Sequence, residues 1–519
     1  MPDTRRPSPR LAGPALLVAT FSGVALALLV LWQLTIARLF GTSPALDAFW
    51  IGLALPKTIA DSFHFGLLTL LFVLVAARDE DDPASLTAAV LNLTFLLTIA
   101  AVVLIVAASP AIVAAMAPGL APADQARATL FLRALAPVLG LTAISGALGG
   151  LAVARRDLLV FSISRAAIPA AQMAALLVLV RWLGAGALVC AIWAGAAASL
   201  LVYGRRLVAL VAGYRPTLSF RGRTARIVLK LQGALALVWV FVSANQIASR
   251  YFASLLGPGQ ISALEFAWRF EIPIAQVVGF AVALPTFALL AANAGDDRRD
   301  DFRRVLAAST RLLMLGVVPL LGFLVVMRLP LSRIWFEGGA FSADAAAQVA
   351  SLLPWLALVY LCRAFSSILV FGLLTIHRAR LLLLLLATET LLNAGLSSVL
   401  SARFGLPGIA MASAAAMLVS NVSLWIVLLR DTGGIPLRAA IPHVAPALGS
   451  AALATAALTF ARRFVPDAAG AAGLLPTIVA ACGFGALYLL LCVGLGVIRI
   501  EATDGRPRVG LMPLESARP

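Results

Sequence analysis

Four charged residues, Arg250, Glu265, Arg269 and Glu271, stand inside a stretch (residues 250–294) that is otherwise apolar enough for a lipid bilayer. A charge at the bilayer centre costs about 2.5–3.5 kcal/mol on insertion scales, so such residues turn toward a bundle interior or a water-filled cavity. Two readings follow. The charges can neutralise one another as a structural lock, or they can line a polar path through the membrane. The same choice applies to Asp47, Lys57 and Asp61 in an earlier apolar stretch, and to Arg363 and Glu389 in two later ones. Arg133 and Arg165 also lie in apolar segments, where they can snorkel to an interface or point inward. The chemistry on offer is recognition of a polar group within the membrane, not bond-making. No acid/base dyad stands out. His64, His377 and His443 are isolated in the sequence, and Cys190, Cys362, Cys482 and Cys492 lack metal-ligand spacing. We therefore expect no catalytic residues, no metal and no cofactor.

The elements that position these charges must be membrane helices. Hydrophobic residues make up 62% of the 519-residue chain and charged residues 12%, with a mean hydropathy of +1.00. That balance excludes a soluble globular protein and predicts an all-α, polytopic membrane protein. About fourteen apolar segments are long enough to span, at roughly 20 residues each. Their centres fall near residues 24, 63, 97, 141, 169, 198, 241, 275, 320, 359, 391, 418, 450 and 485. The net charge of +17 could suggest nucleic acid, but its distribution excludes that reading. The basic residues concentrate in alternate connections, chiefly 205–230 and 298–311. This is the positive-inside pattern, and it predicts a multi-pass protein of the cytoplasmic membrane with both termini cytoplasmic. Those loops can meet anionic membrane lipids. The second span, with Asp47, Pro56, Lys57, Asp61 and His64, is expected to break near Pro56.

The charged stretch has a twin. Ala45-Leu46-Asp47-Ala48-Phe49-Trp50 runs on to Pro56, and Ala263-Leu264-Glu265-Phe266-Ala267-Trp268 runs on to Pro273, at an offset of 218 residues. Asp124 and Asp344 follow at an offset of 220, and Gly186 and Gly408 at 222. Three matches in order at nearly constant offset indicate an internal duplication. They predict a cytoplasmic tail over 1–10 and a six-helix lobe over 11–215. A second six-helix lobe covers 216–430, followed by two additional helices over 431–498 and a polar cytoplasmic tail over 499–519. Six spans preserve orientation, so the lobes are expected to superpose about an axis normal to the membrane.

Several of these stretches resemble the MurJ/MviN family of lipid II flippases, within the multidrug/oligosaccharidyl-lipid/polysaccharide exporter superfamily. They are Ile36-Ala37-Arg38-Leu39-Phe40-Gly41 with Asp47-Ala48-Phe49, Val282-Ala283-Leu284-Pro285-Thr286, Phe336-Glu337-Gly338-Gly339-Ala340-Phe341, and 391–429 with Gly408 and Asn421. The resemblance spans residues 15–430. Where the family carries two arginines in its first helix this chain has Leu26 and Trp32. Where it carries an Arg pair and a Glu in the second, this chain has Ala60-Asp61 and Phe65. The resemblance implies a flippase moving a lipid-linked, pyrophosphate-bearing cell-wall glycan by rocking of two lobes. Lys57, Arg250, Arg269 and Arg363 would hold the substrate with Glu271, since fixed cations bind pyrophosphate through charge-assisted bonds. Asp47, Asp61, Glu265 and Glu389 would couple an ion or balance charge. Arg269 is expected to pair with Glu271. The implied partners are the lipid-linked glycan, membrane lipids and enzymes of envelope synthesis. Two alternatives stay open: a flippase for another lipid-linked oligosaccharide, such as an exopolysaccharide unit, or a non-transporting envelope scaffold.

Overall fold

The computed structural model describes residues 9–76, 83–154, 157–212, 240–271, 282, 286, 299–375, 379–432, 437–464, 470–495, 497–503 and 506–511, with backbone alone over the described part of 61–91. The helices are α1 (Pro9–Phe40), α2 (Pro44–Ala76), α3 (Pro83–Met116), α4 (Pro122–Leu135), α5 (Val138–Ala154), α6 (Leu158–Leu183) and α7 (Gly186–Ala212). Then come α8 (240–255), α9 (Gln260–Trp268), α10 (Arg299–Val326), α11 (Arg328–Phe336), α12 (Ala343–Thr375), α13 (Ala379–Phe404), α14 (Leu406–Thr432), α15 (Leu437–Ala461) and α16 (Gly470–Gly494). Among the described residues, nine helices are long and apolar enough to cross a membrane, or ten if the bent pair α4–α5 is one span. The all-α membrane class is thus borne out. Of the expected spans, those centred near 241 and 275 lie partly or wholly outside the described residues, the one near 63 is helical as part of α2, and the one near 450 holds the shorter apolar helix Ala445–Ala461 within α15.

The chain divides into two compact units, Met1–Ser262 and Ala263–Pro519. In the first, α2 packs on α4 and α5, and α6 packs on α1 and α7. The core at the start of α2 is Leu46, Phe49, Trp50 and Ile51, with Phe49 edge-on to Phe131 at 6.3 Å. Gly52 lets α2 approach α4 closely: a Cβ there would meet Phe131 Cβ at 2.8 Å. Small residues serve this purpose in bilayers, where burial from water no longer drives helices together. The expected break at Pro56 does not occur, since α2 runs through it without interruption. Membrane helices tolerate an internal proline when neighbouring groups satisfy the freed carbonyl. A 40° bend falls instead between α4 and α5, next to Pro137, whose ring has no N–H to continue the ladder.

In the second unit α12 packs against α10, α11 and α14, and α13 against α14. Phe266, Phe336 and Phe341 form an aromatic knot, with centroids 5.0–5.5 Å apart. The Glu337–Phe341 turn that closes it needs two glycines, because Gly338 and Gly339 have φ of 134° and 60°, which side chains with a Cβ resist. The additional pair α15 and α16 packs on α10 around Met327, Ala451, Ala454, Phe484 and Tyr488. The start of the expected polar tail belongs to an antiparallel hairpin, β1 (Ile498–Thr503) with β2 (Arg506–Leu511).

Candidate functional site

The charged stretch is built on the end of α9. The helix closes with two tight i−3 bonds, Arg269 N–H to Phe266 O at 3.1 Å and Phe270 N–H to Ala267 O at 3.3 Å. Pro273 follows in the sequence, and a residue before proline is pushed out of the helical region. Terminal carbonyls of a helix lack internal partners. Tyr360 on α12, fully buried, donates its hydroxyl to Ala267 O at 2.7 Å.

Two ion pairs hang on this frame. Arg269 Nη2 lies 3.3 Å from Glu265 Oε2, one helical turn back. Arg363 Nη1 on α12 donates to Glu271 Oε2 at 2.9 Å, and its guanidinium sits 5.0 Å over the Trp268 ring. Where Arg269 is expected to pair with Glu271, the pairs seen are Arg269–Glu265 and Arg363–Glu271. The i,i+4 spacing sets Arg269 beside Glu265 on one helical face, while the closing turn carries Glu271 to α12. The Arg363 side chain keeps 35% of its exposure and that of Glu271 15%. Glu271 uses one nitrogen of a guanidinium that carries five N–H donors. A stacked, half-exposed arginine of this kind can bind a second anion without leaving its carboxylate.

The other expected residues lie elsewhere. Lys57 is exposed on α2 and Arg250 half-buried on α8, both in the first unit. Asp47 is fully buried. Its carboxylate accepts from Gly259 N–H (2.5 Å), Ser262 N–H (2.7 Å) and Ser262 Oγ–H (2.5 Å). Those are the orphan donors at the start of α9, so Asp47 acts as an N-cap delivered from another segment. Asp61 lies on α2, and its side chain is outside the described residues. Glu389 is buried on α13, one turn before Asn393, whose Oδ1 accepts from Ser413 Oγ at 3.1 Å. Arg133 Nε donates to Ser109 Oγ at 2.7 Å, and Arg165 is exposed with its guanidinium 5.9 Å from the Phe161 ring. Sequence reasoning missed Tyr360 and the stacking role of Trp268. Among the described residues no group of three or more His, Cys, Asp or Glu could hold a metal.

Nine or ten apolar spans among the described residues, with partly exposed charge pairs between helices, define a multi-pass helical membrane protein. The comparisons agree. The family model described as lipid II flippase MurJ matches residues 36–480, and the chain belongs to that family. The fold is similar to a solved lipid II flippase MurJ in an inward closed conformation, with a TM-score of 0.72 and 16% identity, covering 92% of this chain and 99% of that one. It is also similar to an inward-facing multidrug resistance MATE family transporter of the MOP superfamily. There the TM-score is 0.63 at 13% identity, covering 78% and 98%. A MOP superfamily transporter from Pyrococcus furiosus gives 0.61 at 14% identity, covering 80% and 95%. The chain is thus a multi-pass inner-membrane protein of a family of transporters, not enzymes, that handle lipid-linked precursors.

Proposed function

We propose that the chain flips a lipid-linked cell-wall precursor of the lipid II type across the cytoplasmic membrane by alternating access. The observation that carries this is the Arg363–Glu271 pair stacked on Trp268, next to Arg269–Glu265. It offers fixed, partly exposed guanidinium groups to a pyrophosphate inside an otherwise apolar bundle. Lys57 and Arg250 are further candidate substrate-binding cations, and Asp61 and Glu389 are the candidates for ion coupling. A lipid tail needs an apolar flank. Between α15 and α16 lies a groove of about 470 Å³, lined by Ala454, Ala457, Leu458, Val479, Phe484 and Leu487 among others. The concentration of basic residues in alternate loops supports cytoplasmic termini, and the repeated motifs support two six-helix lobes over 11–215 and 216–430.

One observation favours a different glycan on the same lipid carrier. The first helix has Leu26 and Trp32 where the family resemblance leads one to expect arginines, and Trp32 is buried. Rescue of a strain depleted of its lipid II flippase separates the readings. Growth and a falling pool of inward-facing lipid II support the lipid II substrate. Normal membrane levels without rescue would turn the assignment toward another lipid-linked oligosaccharide, to be tried in proteoliposomes.

A further inference from the structure

We propose that the C-terminal hairpin lies on the bilayer surface, its apolar face in the acyl boundary and its arginines among anionic headgroups. The register pairs Ile498 with Leu511, Ile500 with Val509 and Ala502 with Pro507. Directly opposed residues share a face of an antiparallel pair, and faces alternate along each strand. One face is therefore wholly apolar: Ile498, Ile500, Ala502, Pro507, Val509 and Leu511. The other carries Arg499, Glu501, Thr503, Arg506, Arg508 and Gly510, three arginines against one glutamate. The two residues between the strands in sequence are Asp504-Gly505, a dipeptide that favours a two-residue hairpin connection.

A lone two-stranded hairpin is at best marginally stable in water, and an apolar face this complete requires a cover. Position identifies the cover. The membrane-crossing part of α16 ends at Gly494, and β1 begins at Ile498. The junction is pinned: Arg311 on α10, itself buried, donates to Val497 O at 3.2 Å, and Val497 is 2% exposed. Besides its own pairing, β1 packs against α16. The hairpin is thus tethered within a few residues of the end of a membrane span, at the depth where amphipathic elements bury one face in the acyl boundary. Arg499, Arg506 and Arg508 share the opposite face by register, and juxtamembrane cations gain from anionic lipid.

The test uses the full chain in vesicles of phosphatidylcholine, with or without phosphatidylglycerol. In a background where Cys190, Cys362, Cys482 and Cys492 are replaced by alanine, single spin labels are placed through Ile500→Cys, Val509→Cys, Glu501→Cys and Arg508→Cys. We expect the first two to collide several-fold more with oxygen, which partitions into lipid, than with a water-soluble nickel chelate, and the last two to show the reverse. Equal access of the chelate to all four would overturn the proposal. So would labels at 500 and 509 shielded from both reagents, which would mean that protein covers the face. The unmodified chain gives a measurement that no substitution can spoil. Amide hydrogen exchange over 498–511 should be slower with phosphatidylglycerol present than without, and unchanged exchange would remove the headgroup contact.

Discussion

The twin segments 45–50 and 263–268 carry an acid at matching positions and neutralise it by different means. Asp47 is held by backbone and hydroxyl donors at the start of α9, and Glu265 by the guanidinium of Arg269. The matching positions hold an acid with different partners. A second pair of matching positions carries polar contacts in both segments. In the first unit Ser145 and Ser164 both bond Ser199, tying α5 and α6 to α7, the second of these at 2.8 Å. In the second unit Ser366 on α12 bonds Asn421 on α14 at 3.1 Å. Ser366 follows Ser145 by 221 residues and Asn421 follows Ser199 by 222, the spacing of the repeat. A polar clasp at matching positions of the proposed repeat fits an architectural role. The cations that distinguish the second copy are where recognition can differ.

The comparison breaks most visibly at Asp47. Asp47→Ala removes the acceptor for three buried donors, and each orphaned donor costs about 1–3 kcal/mol. We expect a large fall in the melting temperature of the purified protein and low membrane levels. Asp47→Asn, which retains one acceptor oxygen, should fall between. A melting temperature unchanged by Asp47→Ala would mean that the cap is unimportant.

The next effect is expected at Arg363. Arg363→Ala leaves Glu271 without its cation, and transport should fall steeply while the partly exposed position limits the loss of stability. Exchanging the pair as Arg363→Glu with Glu271→Arg should restore protein level but not transport, because the stack on Trp268 is lost. Recovery of both would reduce the pair to a structural lock. At Arg269 we expect less. An i,i+4 pair is worth roughly 0.3–0.5 kcal/mol, so Arg269→Lys should accumulate normally and lose part of its transport in the proteoliposome assay. The smallest effects should be the matched ones. Ser145→Ala and Ser366→Ala each remove a side-chain bond between helices, worth about 0.6 kcal/mol in membrane bundles. Similar small shifts in melting temperature would sharpen the equivalence of the two clasps.

The membrane class and the family were legible in the sequence, because bilayer length and short motifs are local signals. The pairing was not. Whether Arg269 meets Glu265 or Glu271 depends on where α9 closes, and that is set by the turn after Trp268 and by Tyr360 arriving from α12. Pro56 looked like a break, yet neighbouring helices outweigh a proline inside a bundle. The capping role of Asp47 was not legible because no sequence pattern links it to Ser262, more than two hundred residues away. The hairpin was readable after the fact, from the alternation around Asp504-Gly505, but the polar composition of the tail obscured it.

Arg363, seated between Glu271 and Trp268, is the residue proposed to recognise the pyrophosphate of a lipid-linked precursor. The most direct measurement is translocation of lipid II by purified protein in proteoliposomes, comparing the unmodified chain with Arg363→Lys. Lysine keeps the charge but loses the planar fork and the stack. We predict equal incorporation, equal melting temperature and a clear loss of lipid II translocation in the variant. Translocation at the unmodified rate would contradict the claim and return Arg363 to a purely structural role.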